Sequence, residues 1–193
     1  MRTLGLFVLV GVCLLAAAGC VPVATPTRDP AAPVKAWVDA MNKGDVDSAL
    51  ALLADDATLL GGAMPRAKGK NVVGLSLDYL AGLKTKLNLG DCQPQADRVV
   101  CGLSRVDDCI AAFGATDGLT GKLEFIYRPD GKVRQASLIL DDSRSPEYDR
   151  WHRARDAWGR VNHPDELEKS MDVSKEGGTV ESKLCQEYAQ TKK

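Results

Sequence analysis

The residues best equipped for chemistry in this chain of 193 are six cysteines, two histidines and a few paired aspartates. Cys13 and Cys20 fall in the first twenty residues, which leaves Cys92, Cys101, Cys109 and Cys185 in the body. An even number of cysteines in an exported domain favours disulfides. The text KLNLGDCQPQADRVVCGLSRVDD holds two strand-like runs about a polar turn near Ala96 and Asp97, so Cys92 and Cys101 face each other across a hairpin. That makes Cys92 with Cys101 the first pairing, and Cys109 with Cys185 then ties the tail to the body. Zinc is the competing reading, but eight and seven intervening residues do not make the short knuckle of two cysteines, and neither His152 nor His163 lies near a cysteine in sequence. No metal and no cofactor is therefore expected, and no glycine-rich phosphate loop or nucleophile elbow appears.

Each remaining candidate has a plainer reading. Asp55 and Asp56 read as solvated caps at a helix end, and Asp141 and Asp142 as turn formers after a strand, although they are also a conceivable acid pair. His152 adjoins the apolar face of a helix opened by Ser145-Pro146-Glu147 and is read as solvated. His163, or Asn162 before it, precedes Pro164-Asp165-Glu166 as a cap for a further helix.

The elements that must position these residues begin after a leader. Arg2 precedes an uncharged run from Leu4 to Ala18, too short for the roughly 20 apolar residues of a spanning helix and soon followed by Pro22, Pro26, Arg28 and Asp29. Residues 1–19 thus read as a signal peptide. Leu15-Ala16-Ala17-Ala18-Gly19-Cys20 resembles the bacterial lipobox, with Ala17 where leucine is usual, which implies acylation of Cys20 and a membrane anchor. The alternative is ordinary cleavage after Ala18 and a soluble secreted protein. Residues 20–33 are a proline-rich tether. Without Arg2 the chain has 24 basic and 26 acidic residues in no long blocks, which argues against nucleic acid as a partner.

About 160 residues remain from Val34, the size of one domain. Val34, Trp37, Val38 and Met41 recur at helical spacing, Gly44 stops that helix and Asp45 caps the next. Further expectations are a strand over Ala57 to Leu60, a helix from Lys70 to Leu83, a hairpin over Lys86 to Val106, a helical turn near Cys109 to Phe113, and a second hairpin closed by Arg128-Pro129-Asp130-Gly131. Helices followed by an antiparallel meander predict an α+β domain. A tail from residue 144 adds two helices and a polar end, GTVESKLCQEYAQTKK.

The text VKAWVDAMNKGDVDSALALLADDATL resembles the opening of the nuclear transport factor 2-like superfamily, which includes ketosteroid isomerases and SnoaL-like polyketide cyclases, and EFIYRPDGKVRQASL is similar to its last hairpin. The resemblance covers residues 34–143, and 144–193 lie outside it. It implies a cone in which a curved sheet wraps a long helix, leaving a pocket for a small apolar ligand, and it implies dimerisation through the sheet. By motif matching, Trp37, Met41, Leu59, Leu123 and Phe125 face that pocket. The isomerase positions for base, tyrosine and acid read Gly61, Trp37 and Leu123. Since none of these transfers protons, the expectation is a non-catalytic extracytoplasmic module with no catalytic residues. The alternatives are an enzyme with relocated groups and a structural dimerisation module.

Overall fold

A computed structural model describes residues 29–141 and 146–192. The signal peptide, Cys20, most of the tether and Asp142 lie outside the described residues.

Helix α1 (Ala32–Lys43) starts inside the stretch read as tether, with Pro33 in its first turn, where a missing N–H costs nothing. It buries Val34, Trp37, Val38 and Met41 on one face. Asp45 caps α2 (Val46–Ala51) by accepting from the Ser48 N–H at 3.0 Å. Strand β1 (Leu53–Leu60) begins four residues earlier than the sequence suggested, and a short β2 (Arg66–Lys68), absent from the sequence reading, pairs with it. Then follow α3 (Lys70–Gly82), β3 (Lys86–Gln95), β4 (Arg98–Val106), α4 (Asp108–Phe113), β5 (Leu119–Tyr127) and β6 (Val133–Leu140). The tail forms α5 (Pro146–Asn162), α6 (Pro164–Ser170) and α7 (Lys175–Gln190). The stretch read as a polar end is thus largely a 16-residue helix, opened by Ser174, whose hydroxyl accepts from the Gly177 N–H.

The sheet order is β2-β1-β6-β5-β4-β3, antiparallel except where β1 and β6 pair in parallel. Register shifts interrupt the β1–β6, β3–β4 and β5–β6 ladders, and such irregularities bend and twist a sheet. The register lines up apolar residues across one face. Val99 pairs with Phe125, Phe125 with Ala136 and Ala136 with Leu59, and beside that row Cys101 pairs with Leu123 and Leu123 with Leu138. All seven are buried. Helix α1 meets this face through Trp37, whose ring stands edge-on to Phe125 with centroids 5.5 Å apart. The result is an α+β domain with a curved, open six-stranded sheet and helices packed against it.

Two disulfides close the molecule. Cys92 and Cys101 sit opposite each other in the β3–β4 register, with sulfurs 2.04 Å apart. Cys109 at the start of α4 bonds Cys185 of α7 with sulfurs 2.00 Å apart. Among the described residues no helix is long and apolar enough to cross a membrane.

Candidate functional site at the mouth of the cone

Trp37, Met41, Leu59, Leu123 and Phe125 do not line an open hollow: each is 2% exposed or less, and they belong to one continuous core. The Trp37 indole on α1 packs directly against Phe125 of the sheet, so helix and sheet meet there in contact. The indole Nε1–H is buried with no hydrogen-bond partner among the described residues.

The open space lies further along, at one end of the sheet. A cleft of about 690 Å³ is bounded by Leu60 and Gly61 at the end of β1, Leu119 at the start of β5, Leu138 and Leu140 in β6, and Ile110 of α4. Arg105, Asp141 and Tyr148 add polar groups to its lining. These strand ends coincide because the antiparallel ladder sets Arg105 opposite Leu119 and Gly121 opposite Leu140.

Gly61 explains why the isomerase base is missing here. Its φ is +72°, and a Cβ added to it would lie 1.9 Å from the Leu138 carbonyl oxygen. No carboxylate side chain fits at that position without moving β6. Leu123, in the acid position, is buried in the core.

Adjoining the cleft is a chamber of about 210 Å³, which shares Gly62, Arg105 and Tyr148 with the cleft and adds Tyr79, Asp107, His152 and Glu181. Four of these residues come from elements that hold them for identifiable reasons. Asp107 is the N-cap of α4, its Oδ1 accepting from the Ile110 N–H at 2.9 Å. Its Oδ2 accepts from Arg105 Nε and Nη2 at 3.1 and 2.7 Å, a paired contact between a half-buried arginine and a buried aspartate. Glu181 of α7 accepts from Arg155 Nη1 of α5 at 2.8 Å, and the same nitrogen lies 3.2 Å from Cys185 Sγ. His152 of α5 is packed edge-on against Tyr148 and Trp151, at 4.4 and 5.3 Å between centroids.

Burial sets the protonation of this chamber. It pushes the Glu181 carboxyl up to about 7. It pulls the His152 imidazole down to about 4, with the positive charge of Arg155 adding to the effect. The Tyr148 hydroxyl rises to about 12, through burial first and the nearby Asp107 charge second. At neutral pH the histidine is therefore uncharged.

The other sequence candidates stay apart. Asp55 and Asp56 are not at a helix end but in β1, both exposed at its register shift, where they pair loosely with Lys70 at 3.8 Å and Arg128 at 3.2 Å. Asp141 lines the cleft. His163 occupies the N-cap position of α6 without a side-chain cap bond, and its Nε2 lies 3.5 Å from Glu187 Oε2. His152, read as solvated, is instead half-buried, its ring packed against Tyr148 and Trp151 of the same helix. Glu181 escaped the sequence reading altogether, although Glu181, Cys185 and Tyr188 recur at helical spacing, the signal that could have found it. Cys109, Cys185 and Glu181 place three ligand atoms within 4.8 Å, but the two sulfurs are bonded to each other and Arg155 stands against the group, which does not suit a cation.

No protein-family model and no curated protein matches the chain. Similar solved structures include SalBIII, an epoxide hydrolase/cyclase-like enzyme with a role in pyran ring formation in the polyether salinomycin. The two are 15% identical, over 57% of this chain and 89% of that one, with a TM-score of 0.49. A nuclear transport factor 2-like protein of unknown function from Cytophaga hutchinsonii is 12% identical over 58% and 90% of the two chains, at 0.47. A Mycobacterium tuberculosis protein in complex with estradiol-17β-hemisuccinate is 20% identical over 57% and 92%, also at 0.47. The element order, the sheet order and the parallel pairing of β1 with β6 agree with the cone that the sequence resemblance to the nuclear transport factor 2-like superfamily implies.

Proposed function

We propose that this chain is an extracytoplasmic lipoprotein, held to a membrane through Cys20, whose cone domain binds a small, largely apolar ligand at its mouth without transforming it. In this reading residues 1–19 are removed, 20–33 are the spacer, 34–143 the binding domain and 144–193 a helical extension that roofs the site. One observation carries it: the open cleft is lined by Leu60, Ile110, Leu119, Leu138 and Leu140 together with the polar side chains of Arg105, Asp141 and Tyr148. A concavity in which apolar side chains meet a few convergent polar groups suits a small ligand. The groups that would abstract a proton in an isomerase are replaced by Gly61, Trp37 and Leu123, and the two disulfides fit an oxidising compartment.

Native mass spectrometry of the purified mature domain tests the binding. The expected result is a co-purifying apolar molecule that is lost when Leu140→Trp fills the cleft, and the same spectrum gives the subunit count that a homodimer requires. A ligand-free protein that also fails to take up an apolar naphthylamine dye would refute the reading. The anchor is tested separately: Cys20→Ser should abolish labelling by a radioactive fatty acid and release the protein from the membrane fraction, and labelling that persists would move the modification elsewhere.

A second reading, an enzyme with relocated groups, is favoured by the protonation of the adjoining chamber, where His152 is neutral and Glu181 titrates near 7. It predicts that the co-purifying molecule differs chemically between the parent and a His152→Phe, Glu181→Gln double variant. A pure binder returns the same molecule from both.

A further inference from the structure

From the walls of the adjoining chamber we infer that the ligand is an amphipathic molecule with an uncharged hydrogen-bonding head, such as a hydroxyl, whose head enters the chamber while its apolar body lies along the leucines of the cleft. The inference rests on the binding reading above and adds the chemical class. Its first ground is continuity. Cleft and chamber share Gly62, Arg105 and Tyr148, so one molecule can extend from the leucines of the cleft into the more polar chamber.

Its second ground is the pairing of charge. Each formal charge at the chamber already has a partner: Arg105 with Asp107 at 2.7 Å, and Glu181 with Arg155 at 2.8 Å. An ionic head entering this space would give up its water and find no unpaired counter-charge, a loss that buried ions do not recover. An anion would also meet Asp107 and Glu181, and a cation Arg105 and Arg155.

Its third ground is His152. The imidazole lines the chamber, its ring touches Tyr148 and Trp151 edge-on, and neither ring nitrogen makes a hydrogen bond to the protein among the described residues. A neutral imidazole offers one donor and one acceptor, the complement of a hydroxyl, which is both. The neighbouring polar groups are otherwise engaged: Asp107 caps α4 and holds Arg105, and the Tyr79 hydroxyl donates to the Ser170 carbonyl at 3.3 Å. The residues that select the head, His152 and Glu181, belong to the helical extension and not to the segment that resembles the superfamily.

The test compares three probes with one chain and different heads: decanol, decanoate and decyltrimethylammonium. They are titrated calorimetrically into the mature domain with both disulfides intact, and the naphthylamine dye reports the cleft independently. Decanol should bind at least roughly tenfold more tightly than either ion, the equivalent of about one well-made hydrogen bond. His152→Phe, which keeps the ring volume, should weaken decanol roughly tenfold and leave the dye unmoved. If either ion binds as well as decanol, or the phenylalanine variant keeps full affinity for decanol, the inference is overturned while dye binding still upholds the cleft. If neither dye nor any decyl probe binds, the binding reading falls with it.

Discussion

At the scale of single residues, Glu181 and His152 give the protein opposed pH dependences. Burial raises Glu181 from the ordinary 4.5 to about 7, so between those values the native chain holds a proton that the unfolded chain has released. Its contribution to stability is complete below 4.5 and fades as pH rises toward 7. His152 runs the other way. Its value falls from 6.5 to about 4, so the unfolded chain binds more protons in that window, and stability is complete above 6.5 and lost as pH falls. Glu181→Gln should therefore gain melting temperature relative to the parent as pH rises from 4.5 to 7, by an amount on the order of 1–3 kcal/mol in stability. His152→Phe should gain on the parent as pH falls from 6.5 to 4. Thermal unfolding followed by circular dichroism across that range checks both. A variant that tracks the parent at constant offset would show that its residue is already solvated in the native state.

At the scale of elements, the contact that the tail depends on is a crossing of two backbones. A Cβ at Gly178 of α7 would sit 2.2 Å from the Tyr79 carbonyl oxygen of α3, and one at Gly82 would sit 2.2 Å from the Lys175 carbonyl oxygen. Helices that approach this closely have room for hydrogen alone at the crossing. Gly178→Ala should cost roughly 2–3 kcal/mol, against the small gain that alanine gives in an open helix. Chemical denaturation measures it, and a neutral result would mean that α3 and α7 slide apart freely. The same glycines explain what the sequence concealed. Gly177-Gly178 reads as a break in a polar stretch, so α7 went unseen and Glu181 with it, because glycine lowers helix propensity wherever packing is unknown. The helices and strands of the body were legible, since Val34, Trp37, Val38 and Met41 carry the 3.6 period and the Arg128 to Gly131 turn breaks two alternating runs. Periodicity says which face is buried but not how much space that face leaves. The five residues assigned to a pocket are core for that reason, and the open cleft begins where the strands end.

At the scale of the whole molecule, the extension is part of the domain's architecture. Cys185, Leu184 and Tyr188 of α7 are buried, and α7 is bonded to α4 by the Cys109 disulfide and by Asp108, which accepts from Ser182 Oγ and from Gln186 Nε2 at 2.7 Å. The two disulfides do different work. Cys92 and Cys101 are nine residues apart and staple a hairpin, whereas Cys109 and Cys185 are 76 apart and fix the tail that brings His152 and Glu181 to the chamber beside the cleft. Restricting the unfolded chain stabilises by about 2.6 kcal/mol for the short loop and about 4.5 kcal/mol for the long one on the chain-entropy model. Replacing Cys109 and Cys185 by serine should therefore lower the denaturation midpoint more than replacing Cys92 and Cys101, although both exchanges remove one bond. It should also weaken the naphthylamine dye at the cleft, because Tyr148 loses the frame that presses α5 against Phe113, where the two rings now meet at 5.2 Å. Equal losses of stability with dye binding intact would mean that aromatic packing alone seats the extension, and the long-range disulfide would then be a tether for the tail without a part in shaping the site.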